Sequence, residues 1–162
     1  MQQIGFAAWI DEQLAMPQTK HLKEIDLISQ YQGARSELLN RAAASDDEMM
    51  PGSMMEMPMR RIRTDDRLWA WWTASITAPD QLRQRVAFAL SEIMVISDKT
   101  PALRNYPRGV ANYYDILGKH AFGSYRELIG DVTLSPMMGI WLTMVRSSKE
   151  RADENYSREL LQ

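Results

Sequence analysis

Along almost the whole chain, apolar side chains recur at steps of three and four residues, while the alternation that a half-buried strand needs is scarce. A short amphipathic helix carries one apolar stripe and must bury it against another element. A chain built from such helices therefore folds as helices packed on helices. The spacing predicts an all-α fold, an irregular or orthogonal bundle of about seven helices with one long methionine-rich loop.

Ile4, Ala7, Ala8 and Leu14 mark a helix over 2–15, stopped by Pro17. Leu22, Ile25, Ile28, Tyr31, Leu38 and Ala42 mark a second over 20–43, with Gly33 as its weak point. A flexible loop, 45–60, follows, punctuated by Pro51, Gly52 and Pro58. Thr64 is the expected cap of a helix in which Trp69 and Trp72, one turn apart, read as core, and Trp71 with Arg67 as an exposed contact surface. Pro79 opens the strongest helix, with the stripe Leu82, Val86, Ala89, Leu90, Ile93 and Ile96. A loop with Pro101 and Pro107 leads to a helix with Val110, Tyr113, Tyr114, Leu117 and Ala121. Ser124-Tyr-Arg-Glu127 has the form of a capping box, and Ser135-Pro136 opens another helix.

The last ten residues, Asp153 to Gln162, read as the opening turns of a helix that is cut short. Asp153 can accept an orphan N–H of its first turn, and Glu154 and Arg158 are spaced to pair at i, i+4. The expectation is a single helical domain, 1–162, forming part of a larger one that continues past Gln162. An uncovered strip with Leu160 and Leu161 would then favour self-association.

Nineteen basic against twenty-one acidic side chains leave a net charge of −2, without the clustered basic excess that a nucleic-acid binder needs. The one basic cluster, Arg60, Arg61 and Arg63, is offset by Asp65, Asp66, Asp46, Asp47 and Glu48, and reads as a solvated junction between loop and helix. Cysteine is absent, which removes disulfides, thiolate metal sites and cysteine nucleophiles together. No apolar run reaches the length of a membrane span. The first ten residues lack the basic start and apolar core of a signal peptide, so the signal of an exported protein would lie upstream.

Gln81-Leu-Arg-Gln-Arg-Val-Ala-Phe-Ala-Leu-Ser-Glu-Ile-Met-Val-Ile-Ser97, Tyr113-Tyr-Asp-Ile-Leu-Gly-Lys-His-Ala-Phe-Gly-Ser-Tyr-Arg-Glu-Leu-Ile129 and the terminal Asp153-Glu-Asn-Tyr-Ser-Arg-Glu-Leu-Leu-Gln162 occur in that order. Together they resemble the large bacterial family catalogued as domain of unknown function 1800. Gly5-Phe-Ala-Ala-Trp-Ile-Asp-Glu-Gln-Leu14 and Pro17 fit its early part, so the resemblance spans nearly the whole chain except the methionine-rich loop. It implies a longer chain that continues into a Leu-Phe-led stretch, and export (periplasmic or extracellular) for many members. It brings no established activity, cofactor or catalytic residue. Where members commonly have Asn before the last motif, this chain has Arg146-Ser147-Ser148-Lys149.

Few residues point to chemistry. Met49, Met50, Met54, Met55, Met57 and Met59 crowd one loop, and thioether sulfur suits Cu(I), although methionine clusters also serve as adaptable packing. His120, near a helix end, is a candidate general base if Asp131 or Glu92 orients it; the plainer role is to serve the helix C-terminus. His21, among Lys20 and Lys23, reads as solvent-facing. Arg85 and Glu92 lie one heptad apart in the most apolar helix and read as a structural ion pair, with each other or with Arg158 and Glu159.

Three functional readings follow. The first is a helical binding or scaffold module of an exported protein. The second is part of a hydrolase-like enzyme, with its site near the His120 helix and the last helix. The third is Cu(I) handling by the Met49–Met59 loop. No cofactor motif is evident.

Overall fold

The computed structural model describes residues 5–45 and 61–161. Met49, Met50, Met54, Met55, Met57 and Met59 lie outside the described residues. Among those residues the fold is all-α, with nine α-helices, one 3-10 turn and no strand. In chain order these are α1 (Phe6–Ala15), α2 (His21–Ser45), α3 (Thr64–Thr77), α4 (Gln81–Ile93), α5 (Pro101–Arg104), α6 (Pro107–Lys119), α7 (Tyr125–Leu134), α8 (Pro136–Trp141), the 3-10 turn Met144–Arg146, and α9 (Asn155–Leu161). The count exceeds seven partly because Pro101 and Pro107 each open a helix, where a missing N–H costs nothing. None of the described helices is long and apolar enough to cross a membrane.

Helix α6 is the hub, packing on α2, α3, α4, α5, α7 and α8. Its sequence gives it two buried sides. Val110, Tyr113 and Leu117, at steps of three and four, enter a cluster with Ala87, Leu103, Leu128, Val132, Met137, Met138 and Tyr156. Ala111 turns the other way, to Ile25 of α2 and Ala70 of α3. Fully burying a leucine- or valine-sized side chain contributes about 1.5–3 kcal/mol, so the larger cluster is the main apolar source of stability.

Two helices lie rotated from the expected stripe. On α3 the buried positions are Asp66, Ala70 and Ala74, whereas Trp69 and Trp72 are exposed, at 69% and 50%. Small side chains let α3 approach α2 and α6 closely, and an indole at either alanine would hold the helices apart. Trp71, half-buried, packs edge-on against Trp72 and tilted against Phe88. On α4 the buried side chains are Gln84 and Ala87, while Ile93 is 68% exposed.

Two caps also differ. Arg63, not Thr64, takes the N-cap position of α3, and Asp66 Oδ2 accepts its backbone N–H at 2.8 Å. Ser124 has the extended backbone of an N-cap but makes no side-chain cap hydrogen bond. Asp153 does accept a first-turn N–H of α9, from Asn155 at 3.0 Å, and Glu154 meets Arg158 at 2.5 Å on the exposed side.

Candidate functional site

The most densely bonded polar region is where α1, α2, α4 and α6 meet. Each helix start leaves N–H groups without intrahelical partners, and burying them unpaired is costly. Here side chains from other helices supply the acceptors. Asp115 of α6 accepts the His21 and Leu22 N–H groups of α2, at 2.7 and 3.1 Å. Gln13 of α1 accepts the Leu82 N–H of α4 at 3.0 Å and donates to the Pro79 carbonyl. Asp80 Oδ2 accepts from Thr19 N–H at 3.0 Å and from Gln84 Nε2 at 3.2 Å. Arg83 serves helix ends of the opposite polarity, donating to the carbonyls of Gly118 and Met16. Carboxylates at helix starts and a guanidinium at helix ends both match the helix dipole.

His21 belongs to this joint and is buried at 4% exposure rather than facing solvent. Its Nε2 lies 2.9 Å from Gln84 Oε1, and its ring stacks on Tyr114 at 5.3 Å. Burial pushes the Asp115 carboxyl above its ordinary range, against the pull of the two backbone N–H bonds. These polar contacts hold helix ends together, which is a structural task.

His120 sits at the C-cap of α6 and is buried, with Nε2 2.7 Å from Asp131 Oδ2 of α7. The Lys119 ammonium reaches the same oxygen, also at 2.7 Å. The His120 ring first, then Lys119, hold the Asp131 carboxyl below its ordinary range. Glu92 does not join them. It lies exposed on the wall of a separate cavity of about 310 Å³ with Arg67, Trp71, Ser91, Asp98 and Tyr114. In that wall Arg67 pairs with Asp98 at 2.5 Å, and the Ser91 and Tyr114 hydroxyls are 2.7 Å apart.

The expected Arg85–Glu92 pair is absent: both side chains are exposed, and neither makes an ion pair among the described residues. The rotation of α4 explains this, because the side it turns inward carries Gln84 and Ala87. Glu159 is likewise exposed and stands at the edge of an apolar groove of about 360 Å³. Ile93, Met94, Tyr125, Trp141, Tyr156 and Leu160 line that groove, so it runs between the end of α4 and helices α7, α8 and α9.

At the join between α8 and α9, Thr143 is the one non-glycine residue with positive φ (64°) among the described residues. Its hydroxyl donates to Asp153 Oδ2 at 2.7 Å and accepts from Asn155 Nδ2 at 2.8 Å. The Thr143 hydroxyl and the Asn155 N–H together hold the Asp153 carboxyl below its ordinary range. The family model described as protein of unknown function (DUF1800) matches residues 1–162, the whole chain. The chain belongs to the DUF1800 family. No curated protein and no solved structure matches it. The DUF1800 description names no activity, so each residue's role here rests on its own geometry.

Sequence reasoning missed the polar joint. Gln13, Gln84 and Asp115 lie off the apolar stripes that helix periodicity picks out, and Asp80 is the N-cap of α4, yet each is buried. The available signal was Asp80 and Gln84 at the start of α4, where backbone N–H groups lack intrahelical partners.

Proposed function

We propose that this DUF1800 chain is a non-catalytic helical binding module whose contact face is the groove between α4, α7, α8 and α9, and that the groove takes the matching face of a second copy. The supporting observation is the groove's rim. Ile93 is 68% exposed, Tyr125 63% and Leu160 46%, around a floor of Met94, Trp141 and Tyr156. Clustered exposed apolar side chains of this size mark interaction surfaces, and a face that meets itself closes a symmetric dimer.

The hydrolase-like reading has His120 oriented by Asp131 or Glu92, and is best supported when all three converge on one cleft. Two of them meet and the third lines another cavity, which favours binding over catalysis. Sedimentation velocity over a concentration series tests the proposal. Wild type is expected to dimerise with concentration, and Leu160→Glu to stay monomeric with unchanged helical circular dichroism. A wild type that remains monomeric at the highest concentration contradicts it.

A further inference from the structure

A third cavity, of about 640 Å³, has a different character. Arg61 and Arg63 reach it from the segment before α3, Lys99 from the turn before α5, and Arg104 from the last residue of α5. All four are exposed, and none has an ion-pair partner among the described residues. Two carboxylates share the wall. Asp98 is buried and engaged by Arg67 at 2.5 Å, which leaves Asp65 to face four cations. This concentration of positive charge stands in a chain whose net charge is −2.

The neutral groups fit the same polarity. Helix α3 begins on this wall, and its first intrahelical bond is made by the Asp66 N–H to Arg63. The N–H groups of Thr64 and Asp65 precede that bond and belong to the helix's positive end. Asn105 adds a side-chain amide to the lining. Guanidinium forks bind tetrahedral oxyanions through paired hydrogen bonds, and lysine adds a point charge. Like charges gathered in one concave site raise the local concentration of a counter-ion.

We infer that this cleft binds a small organic oxyanion, a phosphate or sulfate ester, through Arg61, Arg63, Lys99 and Arg104. The volume exceeds that of the bare ion and is within the range of metabolite pockets. The site shares none of the residues that line the apolar groove, so it stands or falls apart from the binding-module proposal.

Titration calorimetry at low ionic strength, with inorganic phosphate, inorganic sulfate and pyrophosphate as separate probes, tests the cleft. Saturable binding of at least one probe is expected, weakened about tenfold or more by Arg63→Gln and by Arg104→Gln, since charge-assisted hydrogen bonds are lost. Arg85→Gln, which removes an exposed unpaired cation from α4, is the control and is expected to bind as wild type. The phosphate and sulfate arms distinguish a phosphoryl from a sulfuryl ligand. Absence of saturable binding with every probe overturns the inference. So does equal weakening in Arg85→Gln, because that assigns the effect to overall charge.

Discussion

Asp115 holds His21 by its backbone: Oδ1 accepts the His21 N–H at 2.7 Å across ninety-four residues of chain. Its second oxygen takes the Leu22 N–H, so one carboxylate on the central helix caps the start of α2. The His21 ring is thereby held against Tyr114 and Gln84. The α1–α2 arm is joined to the rest of the bundle as much by such polar bonds as by the small apolar cluster of Ile25, Ala70 and Ala111.

Asp115→Asn is expected to destabilise the protein by about 1–3 kcal/mol, because an amide NH₂ then faces one of two buried N–H donors. Urea unfolding of the variant checks this. A loss below about 0.5 kcal/mol would match an ordinary surface change and refute the capping role.

The rotation of α3 predicts a reversal of the usual ranking of residue sizes. Ala70→Leu is expected to cost about 1–3 kcal/mol or more by overpacking the seam with α2 and α6. Trp69→Ser, at an exposed position, is expected to fall within about 0.5 kcal/mol of wild type. Paired thermal melts decide it, and a Trp69 variant that loses more than the Ala70 variant would contradict the packing.

Thr143 carries a β-branched side chain in the left-handed region, where L-residues lose about 1–2 kcal/mol. Thr143→Ala loses the bonds to Asp153 and Asn155 and keeps the backbone conformation. Thr143→Gly loses the same bonds and relieves the conformation. The glycine variant is therefore expected to be the more stable of the two by about 1 kcal/mol, read from urea midpoints. The opposite order would mean that positive φ carries no cost here.

The carboxylates give a pH dependence of known sign. Asp131 has its folded pKa lowered by His120 and Lys119, and Asp153 by Thr143 and the Asn155 N–H. Their contributions are present above the unfolded carboxylate pKa, about 3.9, and are lost as pH falls through the lower folded values. Asp115 acts in the other direction, because its raised folded pKa favours the protonated form on folding. Its contribution therefore improves as pH falls from that value toward the ordinary range. Stability measured from pH 5 to pH 2 is expected to fall less steeply in Asp131→Asn than in wild type. Identical acid limbs would remove the His120–Asp131 bond from the pH response.

The helix pattern was legible because period and proline placement are local properties. Proline marks Pro136 as a helix start, and the step of Val110, Tyr113 and Leu117 gives one buried side of α6, whereas Pro101 and Pro107 read as loop and in fact open α5 and α6. The inward faces of α3 and α4 were not legible. A stripe of large apolar residues is read as core, but close helix approach selected Ala70 and Ala74 instead, and hydrogen bonds to Thr19 and His21 at the start of α2 hold Asp80 and Gln84 inward. The pairing of His120 with Asp131 followed from their presence on neighbouring helices, whereas the meeting of Lys99 and Arg104 with Arg61 and Arg63 depends on tertiary placement alone.

Thermal unfolding followed at once by helical circular dichroism and by tryptophan fluorescence tests most directly whether the joint of Gln13, His21, Asp80, Gln84 and Asp115 makes the two apolar clusters one body. Trp9 reports from α1 and Trp141 from α8. A single sharp transition, coincident in both signals and shifted as a whole by Asp115→Asn, is the predicted result. Two separated transitions, with Asp115→Asn moving only the first, would mean that the α1–α2 arm folds apart from the rest.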